Sequence, residues 1–138
     1  MIEVFLDTSF AIALSSVSDK NHIKAVQIAD QLEKNQTRLV TTQAILLEIG
    51  NALAKTKYRL AAIKLIESLE IDPNVKVVKL TDQLYTEAFD LFKNRRDKEW
   101  GLVDCISFVV MQNRGITEAL TADRHFSQAG FRVLLISD

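Results

Sequence analysis

Four acidic residues hold positions from which a chain can carry out hydrolysis. Asp7 follows the apolar run 2–6, Asp123 follows 118–122, Glu48 lies within 43–55 and Asp104 within 101–114. Carboxylates without thiolates make an oxygen donor set, which suits Mg2+ or Mn2+ rather than zinc. Four like charges brought within a few ångströms do not all stay ionised without a cation. A cation so held acidifies water and stabilises charge developing on a phosphodiester. The histidines offer no competing centre. His22 is far in sequence from any partner, and His125, directly behind Asp123, reads as a packed or capping residue or a support for the acids.

Each acid also has a plainer reading. Asp7 and Asp123 are placed to cap the helical turns that begin at Thr8 and Arg124. With Gly101 as N-cap, Asp104 is the third helical residue, where a carboxylate suits the helix dipole. Glu48 flanks a stripe of Ile45, Ile49 and Ala52, a border position that calls for a partner such as Lys55. These readings account for the acids singly. They do not account for two acids leaving one sheet edge and two more projecting from helices that begin near it.

The elements that must position them alternate in period. Strand patterns fall at 2–6, 38–42, 75–78, 118–122 and 131–136, and helical patterns at 8–14, 21–35, 43–55, 58–69, 81–94 and 101–114. The last of these is apolar nearly all round, as a buried helix is, and Gly115 is its expected C-terminal cap. Strand and helix in alternation predict an α/β fold, a mostly parallel sheet of about five strands with helices on both faces. Such sheets bind ligands beyond the carboxyl ends of their strands, where Asp7 and Asp123 fall.

The 138 residues contain one proline, four glycines and no linker-like stretch, so one domain spanning 1–138 is expected. The single cysteine, Cys105, excludes an internal disulfide and a thiolate zinc site. The longest apolar runs are far short of the ~20 residues that cross a bilayer. Glu3 and Asp7 with no basic leader argue against a signal peptide, so a cytoplasmic protein is expected. The 17 basic residues nearly balance the 18 acidic ones, but outnumber the 14 that remain once the four candidates are set aside. Lys93, Arg95, Arg96 and Lys98 precede Trp100 and the Asp104 helix, Lys55, Lys57 and Arg59 follow the Glu48 helix, and Arg124 adjoins Asp123. These read either as a rim for phosphate or as solvated charge runs.

The segments Leu6-Asp7-Thr8-Ser9, Leu47-Glu48-Ile49-Gly50-Asn51-Ala52-Leu53, Trp100-Gly101-Leu102-Val103-Asp104-Cys105-Ile106-Ser107-Phe108 and Leu120-Thr121-Ala122-Asp123-Arg124-His125-Phe126 resemble the PIN-domain ribonucleases. Within them they are similar to the VapC-type toxins of toxin–antitoxin pairs, in order and spacing over essentially the whole chain. The resemblance implies a three-layer α/β/α fold and cleavage of RNA with Mg2+ or Mn2+. It implies an acidic site of Asp7, Glu48, Asp104 and Asp123, with hydroxyls of Thr8 and Thr121 in support. Asp7, Asp104 and Asp123 would be the metal ligands, and Glu48 would complete the site or orient water. It also implies a homodimer and a small antitoxin that blocks the pocket. Gly101 departs from the Ser or Thr common there, which weakens the cap slightly.

Two other classes fit parts of the pattern. An aspartyl-phosphate phosphatase would carry a second aspartate two residues after the first, where this chain has Ser9. A non-catalytic RNA- or protein-binding module would use the basic rim but has no need of four acids.

Overall fold

The computed structural model describes residues 2–135. Its five strands, β1 (Glu3–Leu6), β2 (Arg38–Thr42), β3 (Val75–Val78), β4 (Glu118–Leu120) and β5 (Arg132–Val133), form one sheet in the order β3-β2-β1-β4-β5. All four pairings are parallel. Seven helices connect them: α1 (Thr8–Ser15), α2 (His22–Lys34), α3 (Gln43–Ala52), α4 (Thr56–Ile71), α5 (Asp82–Asn94), α6 (Leu102–Arg114) and α7 (His125–Gln128). The fold is the α/β class expected, with β2, β3 and most helices at or within a residue or two of their sequence-predicted bounds.

Strand order explains where a site must form. From β1 the chain moves outward to β2 and β3, then crosses back to β4 on the other side of β1. Right-handed crossovers therefore put α1–α4 on one face and α5–α7 on the other. The crevice between the ends of β1 and β4 is the point where the order reverses, the usual ligand position in such sheets. Asp7 and Asp123 leave the sheet on its two sides. The backbone N–H of Asp7 still donates to the Leu120 carbonyl at 3.1 Å, so the two chain exits are tied together.

The core is built from both faces. Phe5 and Leu6 of β1, Phe10 of α1, Ile45 and Ile49 of α3, Leu120 of β4 and Phe126 of α7 are fully buried or nearly so. Helix α6 buries every residue from Cys105 to Met111, as its all-round apolar sequence requires. It ends at Gly115, whose φ of 68° is the left-handed conformation that glycine adopts without strain.

Three details differ from the sequence reading. Helix α3 stops at Ala52, which is exposed, so the buried stripe is Ala44, Ile45, Leu46 and Ile49. The end of a helix has no following turn to cover it, and periodicity alone overextends the stripe. The fourth strand ends at Leu120, which leaves Thr121 and Asp123 on the connection rather than in the ladder. The fifth strand is two residues long within the expected 131–136, of which Ile136 lies outside the described residues.

Candidate active site

Asp7 is 6% exposed, and it occupies the N-cap position of α1 without making the side-chain cap bond. Its Oδ2 accepts instead from the Thr121 hydroxyl at 2.6 Å. That hydroxyl has no capacity to spare. Its one proton goes to Asp7, it accepts from the Asp123 N–H at 3.0 Å, and it meets Ser9 Oγ at 3.2 Å, where Ser9 must be the donor. Ser9 Oγ in turn accepts from the Ala122 N–H at 3.0 Å. Thr121, fully buried, thus links the exits of β1 and β4 through Asp7, Ser9 and Asp123. Ser9 is the member of this network that sequence reasoning passed over, and a hydroxyl two residues after a strand-end aspartate is a faint signal.

Burial is the main cause that raises the Asp7 carboxyl from 3.8 to about 7. The hydrogen bonds from Thr121 and the Thr8 backbone oppose it, and the negative charges of Glu48 and Asp104 add to it. Glu48 is half-buried and accepts a short hydrogen bond from the Thr8 hydroxyl. Its partner is thus a hydroxyl on α1, not the expected Lys55, which is exposed beyond the end of α3.

Asp104 makes the helix-start contact read from the sequence: its Oδ2 accepts from the Gly101 N–H at 3.1 Å. The same oxygen lies 3.0 Å from His125 Nδ1. Burial raises the Asp104 carboxyl, the His125 and Gly101 hydrogen bonds oppose this, and the negative charge of Asp123 adds to it. Asp123 Oδ1 accepts from the His125 backbone N–H at 2.9 Å and lies 3.4 Å from His125 Nδ1. His125 is therefore more than a packed or capping residue. Its ring stands between two of the acids, an arrangement that sequence spacing does not reveal because Asp104 is 21 residues away.

Aromatic packing holds these two acids in register. Phe108 of α6 meets Phe126 of α7 and Trp100 edge-on, each with centroids 5.0 Å apart. The Trp100 indole N–H donates to Gln128 at 3.1 Å, which binds the approach to α6 onto α7. Cys105, next to Asp104, is fully buried, and its thiol is pushed up to about 11, chiefly by burial, so it stays an unreactive packing residue.

The structure thus brings Asp7, Glu48, Asp104 and Asp123 to one edge, each within electrostatic reach of another. The donor chemistry fits a hard divalent cation. The charged neighbours that act on buried Asp7 are both negative, and Asp104, Asp123 and His125 offer ligand atoms within 4.8 Å of one another. The basic residues are less uniform. Lys93 pairs with Asp90 at 3.4 Å and Arg95 with Asp97 at 3.0 Å. Lys55, Arg96 and Arg124 are exposed, and Lys98 is half-buried on the segment that leads to Gly101.

A parallel sheet carrying acids at its switch point, between layers of helix, defines a class, and the comparisons agree. The PIN domain family matches residues 4–132, and the chain belongs to that family. Over 128 residues it is 29% identical to the 23S rRNA-specific endonuclease VapC20 of Mycobacterium tuberculosis, a match that spans 93% of this chain and 95% of the relative. The crystal structure of VapC20, described as a sarcin-ricin loop cleaving toxin, superposes with a TM-score of 0.80 over the same shares. VapBC2 of Rickettsia felis, bound to a promoter DNA fragment, shares the fold at 12% identity and a TM-score of 0.70, covering 96% and 97% of the two chains. DNA-bound VapBC of Salmonella typhimurium does so at 17% identity and 0.69, over 96% and 97%.

Proposed function

We propose that this chain is a single-domain, cation-dependent endoribonuclease that acts in the cytoplasm as the toxin of a toxin–antitoxin pair. The observation that carries the reading is the convergence of Asp7, Glu48, Asp104 and Asp123 at the switch point. Asp7 there is buried among negative charges and carries a carboxyl raised to about 7. Similarity to VapC20 over nearly the whole chain supports RNA as substrate. The VapBC assemblies among the structural neighbours support a small antitoxin as partner, and a homodimer is the expected state. No helix among the described residues is long and apolar enough to cross a membrane.

Asp7, Asp104 and Asp123 would hold Mg2+ or Mn2+. The bound ion supplies Lewis-acid stabilisation of the phosphodiester and a water of lowered pKa. Among the described residues, hydrogen bonds fall on Asp104 Oδ2 and Asp123 Oδ1, which leaves Asp104 Oδ1 and Asp123 Oδ2 for the cation. Glu48, held by the Thr8 hydroxyl, would complete the metal site or orient the attacking water. Lys55, Lys93, Arg95, Arg96, Lys98 and Arg124 supply the phosphate-facing rim.

The test uses partner-free protein and an RNA pool that includes 23S rRNA. One arm contains Mg2+ or Mn2+, one contains EDTA, and one contains metal with Asp104→Asn. Cleavage is expected in the first arm alone, and Asp104→Asn is expected to lose at least about 10³-fold, equivalent to ~4 kcal/mol of barrier. Equal cleavage by Asp104→Asn would overturn the assignment.

A further inference from the structure

We propose that His125 is a positioning residue of the acidic site: its ring Nδ1–H holds Asp104, its backbone N–H holds Asp123, and the two together aim the remaining oxygens of both acids at the cation. The proposal rests on the metal-dependent reading above. His125 Nδ1 lies 3.0 Å from Asp104 Oδ2 and 3.4 Å from Asp123 Oδ1. Both neighbours are carboxylates, which as anions only accept, so Nδ1 carries the proton and the tautomer follows from its surroundings. The backbone takes part as well. The His125 N–H donates to the same Asp123 oxygen at 2.9 Å, and the Gly101 N–H to the same Asp104 oxygen at 3.1 Å.

One oxygen of each acid is therefore occupied by protein donors, and His125 is the residue that donates to both, through its ring to Asp104 and its backbone to Asp123. Asp104 and Asp123 come from different layers of chain, the start of α6 and the exit of β4, and the negative charge of Asp123 raises the cost of charge on Asp104. Two N–H donors on one residue, with the ring nitrogen also 3.4 Å from Asp123, offset that repulsion and set the spacing of the two acids. Protein groups that orient metal-binding carboxylates in this way typically contribute 10–100-fold to metal affinity. The imidazole is itself anchored. Phe126, the next residue, is fully buried against Phe5 and Phe108, so α7 cannot drift from α6 without opening the core.

The test compares wild type, His125→Ala and His125→Asn by calorimetric titration of the metal-free proteins with Mn2+. Pulsed electron paramagnetic resonance of the Mn2+-loaded proteins then reads nitrogen coupling to the ion. An asparagine amide N–H reaches nearly where Nδ1–H stands, so it restores the donor but not the ring. Expected are Mn2+ binding by wild type with no coupling from a directly bound imidazole, a loss of about tenfold or more in His125→Ala, and recovery of most of it in His125→Asn. Affinity unchanged in His125→Ala, or His125→Asn as weak as His125→Ala, would overturn the proposal. So would a bound-imidazole coupling in wild type, which would make His125 a ligand. If His125→Ala fails to fold, His125→Phe, which keeps a ring and has no donor, takes its place with the same expected loss and the same overturning result. A wild type that binds no Mn2+ would instead overturn the metal-dependent reading itself.

Discussion

The two sides of the acidic site are built on opposite principles. On the β1 side, Asp7 is 6% exposed and is satisfied by the Thr121 hydroxyl and the Thr8 backbone, and Glu48 by the Thr8 hydroxyl. On the α6 side, the side chains of Asp104, His125 and Asp123 are 18%, 30% and 37% exposed and are tied to one another. The buried side resists ionisation because water is excluded. The open side keeps its carboxylates within reach of solvent and ties both to one residue, His125. A cation that joins the two sides meets one acid that gains by being neutralised and two that are already ordered. The arrangement places the electrostatic penalty on Asp7 and the geometric precision on Asp104 and Asp123.

The sharpest way to break this contrast is to titrate stability without metal. The folded-state carboxyl of Asp7 stands at about 7, above its ordinary 3.8. Between those values the folded protein keeps a proton that the unfolded chain has released, so stability falls as pH rises from about 4 to 7. Below that window both states are protonated, and above it both are ionised, so the contribution is flat on either side. The whole effect of Asp7 is on the order of 4 kcal/mol. Asp7→Asn removes the titration. Denaturant unfolding in EDTA is therefore expected to show the variant gaining stability relative to wild type across this window and keeping the gain at pH 8. Asp104→Asn is expected to show the same sign with a smaller amplitude, because the Asp104 side chain is nearer to solvent. Parallel pH profiles for wild type and Asp7→Asn would mean that the β1 side carries no such penalty.

Thr121→Val probes the junction between the two sides. The substitution keeps the shape of the side chain and removes the donor to Asp7 and the acceptor for the Asp123 N–H and for Ser9. A buried carboxylate and a backbone N–H lose their partner together, a loss of ~1–3 kcal/mol by denaturant unfolding. Thr121→Ser keeps all three bonds and is expected to lose less than half as much. Equal losses would show that the methyl group, not the hydroxyl, is what the site uses.

How much of this was legible in the sequence follows from the same contrast. The strands, the buried α6 and the four acids were visible because a parallel sheet collects its strand exits on one edge, so strand order alone brings Asp7 and Asp123 together. The family resemblance implies supporting hydroxyls at Thr8 and Thr121, but which acid each one meets was not visible. Thr8 lies 40 residues from Glu48 and Ser9 113 residues from Ala122, and no periodicity links them. For His125 the sequence leaves two readings open, a packed or capping residue and a support for the acids, because its position beside Asp123 does not reveal its ring contact to Asp104 across a helix start. The expected pairing of Glu48 with Lys55 failed because α3 ends three residues early, which carries Lys55 off the face that Glu48 occupies.

The smallest expected effect tests how far the α6 side depends on its backbone. Gly101 caps α6 with φ −72°, a conformation open to any residue, and its side-chain space is free: an added Cβ would come no nearer than 3.9 Å to Asp104 Oδ2. The Gly101 N–H still donates to that oxygen after substitution. Gly101→Ser adds a hydroxyl that accepts from the first turn of α6, where glycine offers none, and it narrows the unfolded ensemble. Stability is expected to rise by a few tenths to about 1 kcal/mol, read as a raised denaturation midpoint with an unchanged slope. Mn2+ affinity should stay within about twofold of wild type, because the cap orders the helix start without touching the oxygens left for the cation. A gain in stability with a clear loss of Mn2+ binding would show that Asp104 needs the freedom glycine leaves it, and that the open side is less pre-ordered than its hydrogen bonds imply.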